Sequence, residues 1–144
     1  MVERWVGVDF GASRVGLALS DEAGRLALPH ATVAADAAVD AIVQLCAEHD
    51  AAVVIGWPLE LSGKEGRATQ RVARFIEALE QAAADAALTV AIHRRDERLT
   101  TGLAEALLSE ASVYGKRRKG AVDQLAATQI LQGYLDERRH GEED

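Results

Sequence analysis

Two apolar runs of strand length open the chain, Arg4–Phe10 (RWVGVDF) and Arg14–Ser20 (RVGLALS), separated by Gly11, Ala12 and Ser13. Both are rich in Val and Leu and bounded by turn residues, the pattern of strands joined in a hairpin. Residues 21–24 make a second turn ahead of a short run at 25–28, so three successive antiparallel strands are expected. The period then changes. Within residues 37–48, Ala38, Ala41, Ile42 and Leu45 recur at helical spacing, and residues 51–55 follow as an unbroken apolar run. A helix feeding a short, continuously apolar segment predicts a crossover into a buried strand. A glycine-bearing loop over 56–66 precedes a second helix, with Val72, Phe75, Ile76 and Leu79 on one face, and residues 88–93 form a fifth strand.

Thr100 or Thr101 can cap a third helix in which Leu103, Leu107 and Leu108 share a face. Residues 112–119 then break into a charged loop, 120–138 form the last helix, and 141–144 read as a disordered acidic tail. The order βββαβαβαα predicts one α/β domain over residues 1–140, a mixed five-stranded sheet flanked by helices.

Composition narrows the core. The chain has 144 residues, 49% of them hydrophobic, but only two each of Trp, Tyr and Phe. A domain of this size buries roughly 70% of the surface its unfolded chain exposes, so it needs no metal or disulfide staple. Its core must be Leu, Val, Ile and Ala packed at short distance, which suits helices laid on a sheet. Cys46 stands alone, which forbids an internal disulfide and fits a reducing cytoplasm; its neighbours Ile42, Val43 and Leu45 make it a buried structural thiol. No apolar run nears the roughly 20 residues that span a bilayer, and the first residues lack a signal-peptide pattern, so a soluble cytoplasmic protein is expected.

A net charge of −7 argues against holding nucleic acid by bulk charge alone. Between His93 and Lys119, however, Arg94, Arg95, Arg98, Lys116, Arg117, Arg118 and Lys119 outnumber the acids. Lys64, Arg67, Arg71 and Arg74 also recur at spacings of three and four along one side of the second helix. Either group could follow phosphates, and either could be an ordinary solvated face.

The acids carry the chemistry. Asp9 ends an apolar strand, so it emerges at the carboxyl edge of the sheet, where α/β folds place ligands; a turn-initiating Asp is the plainer alternative. Asp96 and Glu97 follow the fifth strand to the same edge, unless they are solvated surface charge. Asp123 shares a helix face with the apolar Ala126, Ala127 and Ile130, which directs a carboxylate at the sheet. Such a group needs an Arg, a helix end or a cation as partner. Clustered hard oxygen ligands suit Mg²⁺ or Mn²⁺, and the four scattered His residues show no zinc spacing. Two such ions assist phosphodiester hydrolysis without a side-chain nucleophile, and no Ser has a His–Asp partner in view.

The motifs VGVDFGASRVGLALSD, VVIGWPLELSGKEG, RRDERLTT and KRRKGAVDQLAATQILQGYLD resemble the YqgF/RuvX family of RNase H-like nucleases through almost the whole chain. That family is associated with Holliday-junction resolution and with maturation of precursor 16S ribosomal RNA. The resemblance implies an RNase H-like fold and a catalytic set of Asp9, Asp96, Glu97 and Asp123. Asp9, Glu97 and Asp123 are the expected metal ligands, Glu97 being favoured over its neighbour. The chain departs from the family's usual residues at Ala12 and in Trp57, Pro58, Leu59, Glu60 and Leu61, but its acidic positions are kept. Lys64, Arg67, Arg71, Arg95, Arg98, Lys116, Arg117, Arg118 and Lys119 are the expected contacts to nucleic acid, branched DNA or precursor rRNA. A junction cutter needs two active sites for paired incisions, which implies a homodimer.

Two other readings stand beside it. A non-catalytic nucleic-acid-binding module would bind equally well without its carboxylates. Asp9, Phe10 and Gly11 with Gly16 are also similar to the first phosphate loop of actin-like ATPases and sugar kinases, but those enclose nucleotide between two domains, and 144 residues supply one half.

Overall fold

A computed structural model describes residues 4–97 and 115–143. The elements run β1 (Arg4–Phe10), β2 (Arg14–Ser20), β3 (Ala27–Ala34), α1 (Ala35–His49), β4 (Ala51–Trp57), α2 (Arg67–Asp85), β5 (Ile92–Asp96) and α3 (Gly115–Glu143). The five strands form one sheet in the order β3-β2-β1-β4-β5. β1 and β2, and β2 and β3, are antiparallel, whereas β1 and β4, and β4 and β5, are parallel. The expected mixed sheet is therefore present, with α1 and α2 on one face and α3 on the other.

The two faces have different chemistry because side chains alternate along each strand. Val6, Val8, Val15, Leu17, Val53 and Ile55 point to α1 and α2, where Ile42, Leu45, Val72, Phe75, Ile76 and Leu79 complete the larger core. Cys46 lies in this core, 4% exposed, and burial pushes its thiol up to about 11, which keeps it protonated. The opposite face carries Trp5, Ala18, Ala52 and Val54 against Ala127, Ile130, Leu131 and Leu135 of α3. It also carries Gly7, Gly16 and Gly56, where side chains are missing altogether. A Cβ on Gly7 would stand 2.7 Å from the Ala127 carbonyl, and one on Gly16 would overlap the backbone of Asp123. The backbone of α3 thus rests almost directly on the sheet.

Three elements, β3, β5 and α3, differ most from the sequence reading. β3 continues through Ala34 because residues beyond Pro29 pair with β2; at a sheet edge the missing N–H of Pro29 is tolerated, and it sits opposite Ala18, at the register shift. β5 lies at Ile92–Asp96 rather than 88–93. Leu88 is used elsewhere: its N–H donates to the Ala83 carbonyl across left-handed Ala87, closing α2. The charged segment that follows becomes strand because it pairs with β4 from Val53–Ile92 to Trp57–Asp96. α3 starts at Gly115, so residues 115–119 are helical rather than loop, and it runs through Glu143, taking in most of the segment read as a tail. Lys and Arg are good helix formers, and they offset Gly115 and Gly120. The helix expected after Thr100 and Thr101 lies outside the described residues, with Leu103, Leu107 and Leu108. Among the described residues, no helix is long and apolar enough to cross a membrane.

The glycine contacts make a direct prediction about stability. Gly16→Ala should destabilise the protein by about 1–3 kcal/mol, since neither backbone can yield. Gly120→Ala, whose added Cβ finds its nearest neighbour at 3.7 Å, should be stabilising by roughly 0.5–1 kcal/mol through helix propensity. Urea unfolding of both variants checks the contrast, and equal midpoints would contradict it.

Candidate active site

Because β1, β4 and β5 are mutually parallel, their carboxyl ends share one edge of the sheet. Asp9 is the penultimate residue of β1 and pairs across the hairpin with Gly16 of β2. Glu97 follows β5 directly, and its N–H donates to the Trp57 carbonyl at 3.3 Å, extending the ladder by one residue. Alternation therefore sends Asp9, Gly56, Arg95 and Glu97 to the α3 face and Asp96 to the other face, where it is exposed.

Glu97 and Asp9 meet. The two carboxyls are within hydrogen-bonding reach, a bond that Glu97 donates when protonated, and Gly56 makes room for Glu97, since a Cβ there would overlap its Oε2. Burial first, then the charge of Asp9, the hydrogen bond itself and the charge of Asp96 push the Glu97 carboxyl up to about 8. Asp9 is also raised, chiefly by burial and secondly by the nearby charge of Asp123, against the lowering effect of the Glu97 hydrogen bond. Asp123 comes from α3 with 16% of its side chain exposed, and its Oδ2 accepts a 2.6 Å hydrogen bond from Arg14 Nε. It lies eight residues into the helix. The helix N-terminus is too distant to hold it, because that field fades within the first turn.

Two observations favour a hard cation beside this cluster. Glu97 Oε2 is buried and has no hydrogen-bond partner, an uncommon condition that a cation would relieve. The donors are all carboxylate oxygens, the set that Mg²⁺ and Mn²⁺ prefer. As the side chains stand, no three ligand-type residues among the described residues converge on one point, since Asp123 is turned to Arg14. Asp9 and Glu97 are thus the pair that could hold an ion first, with Asp123 within reach of Asp9's charge.

The expected basic contacts separate. Lys64, Arg67 and Arg71 are exposed, as is Arg74, and none of the four forms an ion pair among the described residues. Lys116, Arg117, Arg118 and Lys119 lie in the first turns of α3. Arg98 is outside the described residues. Arg95 differs from expectation: it folds under α3 against Gly133, and its Nη2 donates to Glu137 Oε1 at 2.9 Å, so it is committed within the fold. Sequence reasoning missed Arg14, although its place after the Gly11-Ala12-Ser13 turn put it at the same edge as Asp9. It also missed Gly56, whose position one residue past an apolar run was the available signal.

The geometry defines an RNase H-like α/β protein with an acidic cluster at the sheet's carboxyl edge. Thermus thermophilus RuvC, solved in complex with a Holliday junction substrate, matches the fold with a TM-score of 0.50 at 15% identity, over 94% of this chain and 95% of that one. Sequence comparison is more specific. Residues 3–137 match the model of the RuvX family, described as Holliday junction resolvase, and the chain belongs to that family. A relative from Salinibacter ruber is 42% identical over 136 residues, covering 92% of each chain. Another from Syntrophus aciditrophicus is 43% identical, over 92% of this chain and 88% of its own length. Both bear the name "Putative pre-16S rRNA nuclease".

The raised carboxyls set the pH response of the metal-free protein. Below about pH 4.5 Glu97 is protonated in both folded and unfolded chains and costs nothing; as pH rises to about 8 the unfolded chain ionises first, and stability is lost. The raised Asp9 acts in the same sense. In EDTA the melting temperature should therefore fall across this window, and Glu97→Gln should flatten the fall. A Glu97→Gln profile parallel to wild type would contradict the assignment.

Proposed function

We propose that this chain is a divalent-metal-dependent nuclease that hydrolyses phosphodiester bonds in structured nucleic acid, Holliday junction DNA or precursor 16S rRNA. The observation carrying this reading is the half-buried Asp9–Glu97 pair, with its unpartnered Glu97 Oε2, beside Asp123. Membership of a family described as Holliday junction resolvase supports it, as do the relatives' names. The domain acts as one unit over residues 1–140, in the cytoplasm, and as a homodimer where paired incisions are made.

Asp9 and Glu97 would hold Mg²⁺ or Mn²⁺, with Asp123 as the third carboxylate. The ion, when bound, supplies Lewis acidity to the scissile phosphate and lowers the pKa of an attacking water. The protein's own part is positional. β1 and β5 fix Asp9 and Glu97 on rigid strand ends, α3 carries Asp123 to them, and Arg14 orients Asp123 through its Nε. Asp96, exposed on the opposite face, does not take part in holding the ion. Lys64, Arg67, Arg71 and the Lys116–Arg117–Arg118–Lys119 run contact phosphates and set register without reading sequence.

Purified protein should be assayed on four-way DNA junctions and structured RNA side by side with Mg²⁺, Mn²⁺ or EDTA. Cleavage should need the ion. Asp9→Asn and Glu97→Gln should each lower it more than about a hundredfold, a loss of several kcal/mol at the transition state. Asp96→Asn should stay within about threefold. An Asp9→Asn protein that keeps more than about a tenth of wild-type activity would remove this residue from the site.

Charge reversal at Arg67 and Arg71 tests the α2 surface separately. It should weaken binding and lower the slope of log affinity against log salt by roughly one per lost phosphate contact on duplex DNA. An unchanged slope would mean that the stripe is only solvated.

A further inference from the structure

We infer that Arg14 is a phosphate-binding residue of the site, bridging Asp123 to a phosphodiester of the substrate backbone; this inference rests on the nuclease reading above. Arg14 engages Asp123 through Nε alone, at 2.6 Å. Its two Nη atoms make no hydrogen bond or ion pair with any described residue. The two partners also differ in exposure: 41% of the Arg14 side chain is open to solvent, against 16% for Asp123. The half-buried carboxylate thus holds the guanidinium by its Nε, and the fork of the two Nη groups is left unengaged by it.

That fork is the geometry with which Arg grips phosphate, by two parallel N–H donors. A residue serving only to neutralise Asp123 would need one donor, and Lys or a buried Arg would do. Backbone contacts hold Arg14 at the mouth of the site. Its carbonyl accepts from Gly11 N–H at 2.9 Å, which closes the β1–β2 turn, and its strand continues to Gly16, opposite Asp9. The guanidinium therefore sits on the same edge as the acidic cluster. A phosphodiester there would be held by Arg14 from one side while its negative charge is kept off Asp123, which the same guanidinium already neutralises. Arg14 is accordingly a substrate-contacting residue as well as the positioning residue for Asp123.

The two roles separate on an Asp123→Asn background, where Arg14 has no carboxylate left to neutralise. Binding of a fluorescein-labelled four-way junction and of a matching duplex is measured in EDTA over a range of salt. Adding R14A to D123N should weaken binding about tenfold and reduce the log–log salt slope on duplex by roughly one. In the otherwise wild-type chain, R14K provides the second variant: its ammonium can keep Asp123 paired but has no fork left for phosphate. Its melting temperature should hold while its affinity falls. If R14A/D123N binds with the affinity and slope of D123N, and R14K binds like wild type, the inference is overturned and the nuclease reading stands. If wild type and D123N bind neither probe, the nuclease reading fails and this inference with it.

Discussion

The backbone of α3 lies against the sheet because β1 and β2 offer it Gly7 and Gly16 where other strands would offer side chains. Much of the structure depends on that close approach. Gly16 is the cross-strand partner of Asp9, and the Asp123 backbone rests on Gly16, so the two carboxylates become neighbours through a residue with no side chain. Gly56 does the same for Glu97, admitting its carboxyl beside Asp9 and Ile130. With ordinary side chains at these positions the helix would stand further off, and the acids would be three separate surface charges.

Bringing acids together in a half-buried place costs free energy, and the molecule meets that cost in two ways. Asp9 and Glu97 lie side by side, and burial together with the charge of neighbouring carboxylates raises both carboxyls, Glu97 to about 8. Asp123 is instead neutralised by a cation from the chain, Arg14. A carboxylate cluster stabilised by a proton and a guanidinium is poised to exchange them for a stronger positive charge. The larger core on the α1 and α2 face holds no such conflict and supplies the rigidity. On the outside of that layer, Lys64 ahead of α2 and Arg67, Arg71 and Arg74 on it present exposed positive charge in a chain of net −7. In the proposed function, the overall negative charge keeps nonspecific contact with nucleic acid weak while this local stripe orients it.

Much of this was legible in the sequence. The strands β1, β2 and β4 announce themselves by short apolar runs, and α1 and α2 by their period, because central elements are determined by burial. The edges were harder. β5 carries His93, Arg94, Arg95 and Asp96 and is strand only because β4 pairs with it, a long-range cause that no local window contains. β3 is obscured by Pro29 in the same way. At the site, the helix face shared by Asp123 with Ala126, Ala127 and Ile130 correctly directed that carboxylate inward. Arg95 reads as one more cation in a basic stretch, yet tertiary packing commits it to Glu137. Arg14 looked like an ordinary strand-opening residue, because its partner lies 109 positions away.

In the proposed function Asp9, Glu97 and Asp123 form one divalent-cation site built around the glycine-lined contact of α3. Crystals soaked in Mn²⁺ test it most directly through the metal's anomalous scattering. The account predicts an anomalous peak between Asp9 and Glu97, at oxygen distances of about 2.0–2.3 Å, that disappears in Asp9→Asn. A Mn²⁺-soaked crystal with the Asp9–Glu97 hydrogen bond intact and no peak at these carboxylates would contradict it.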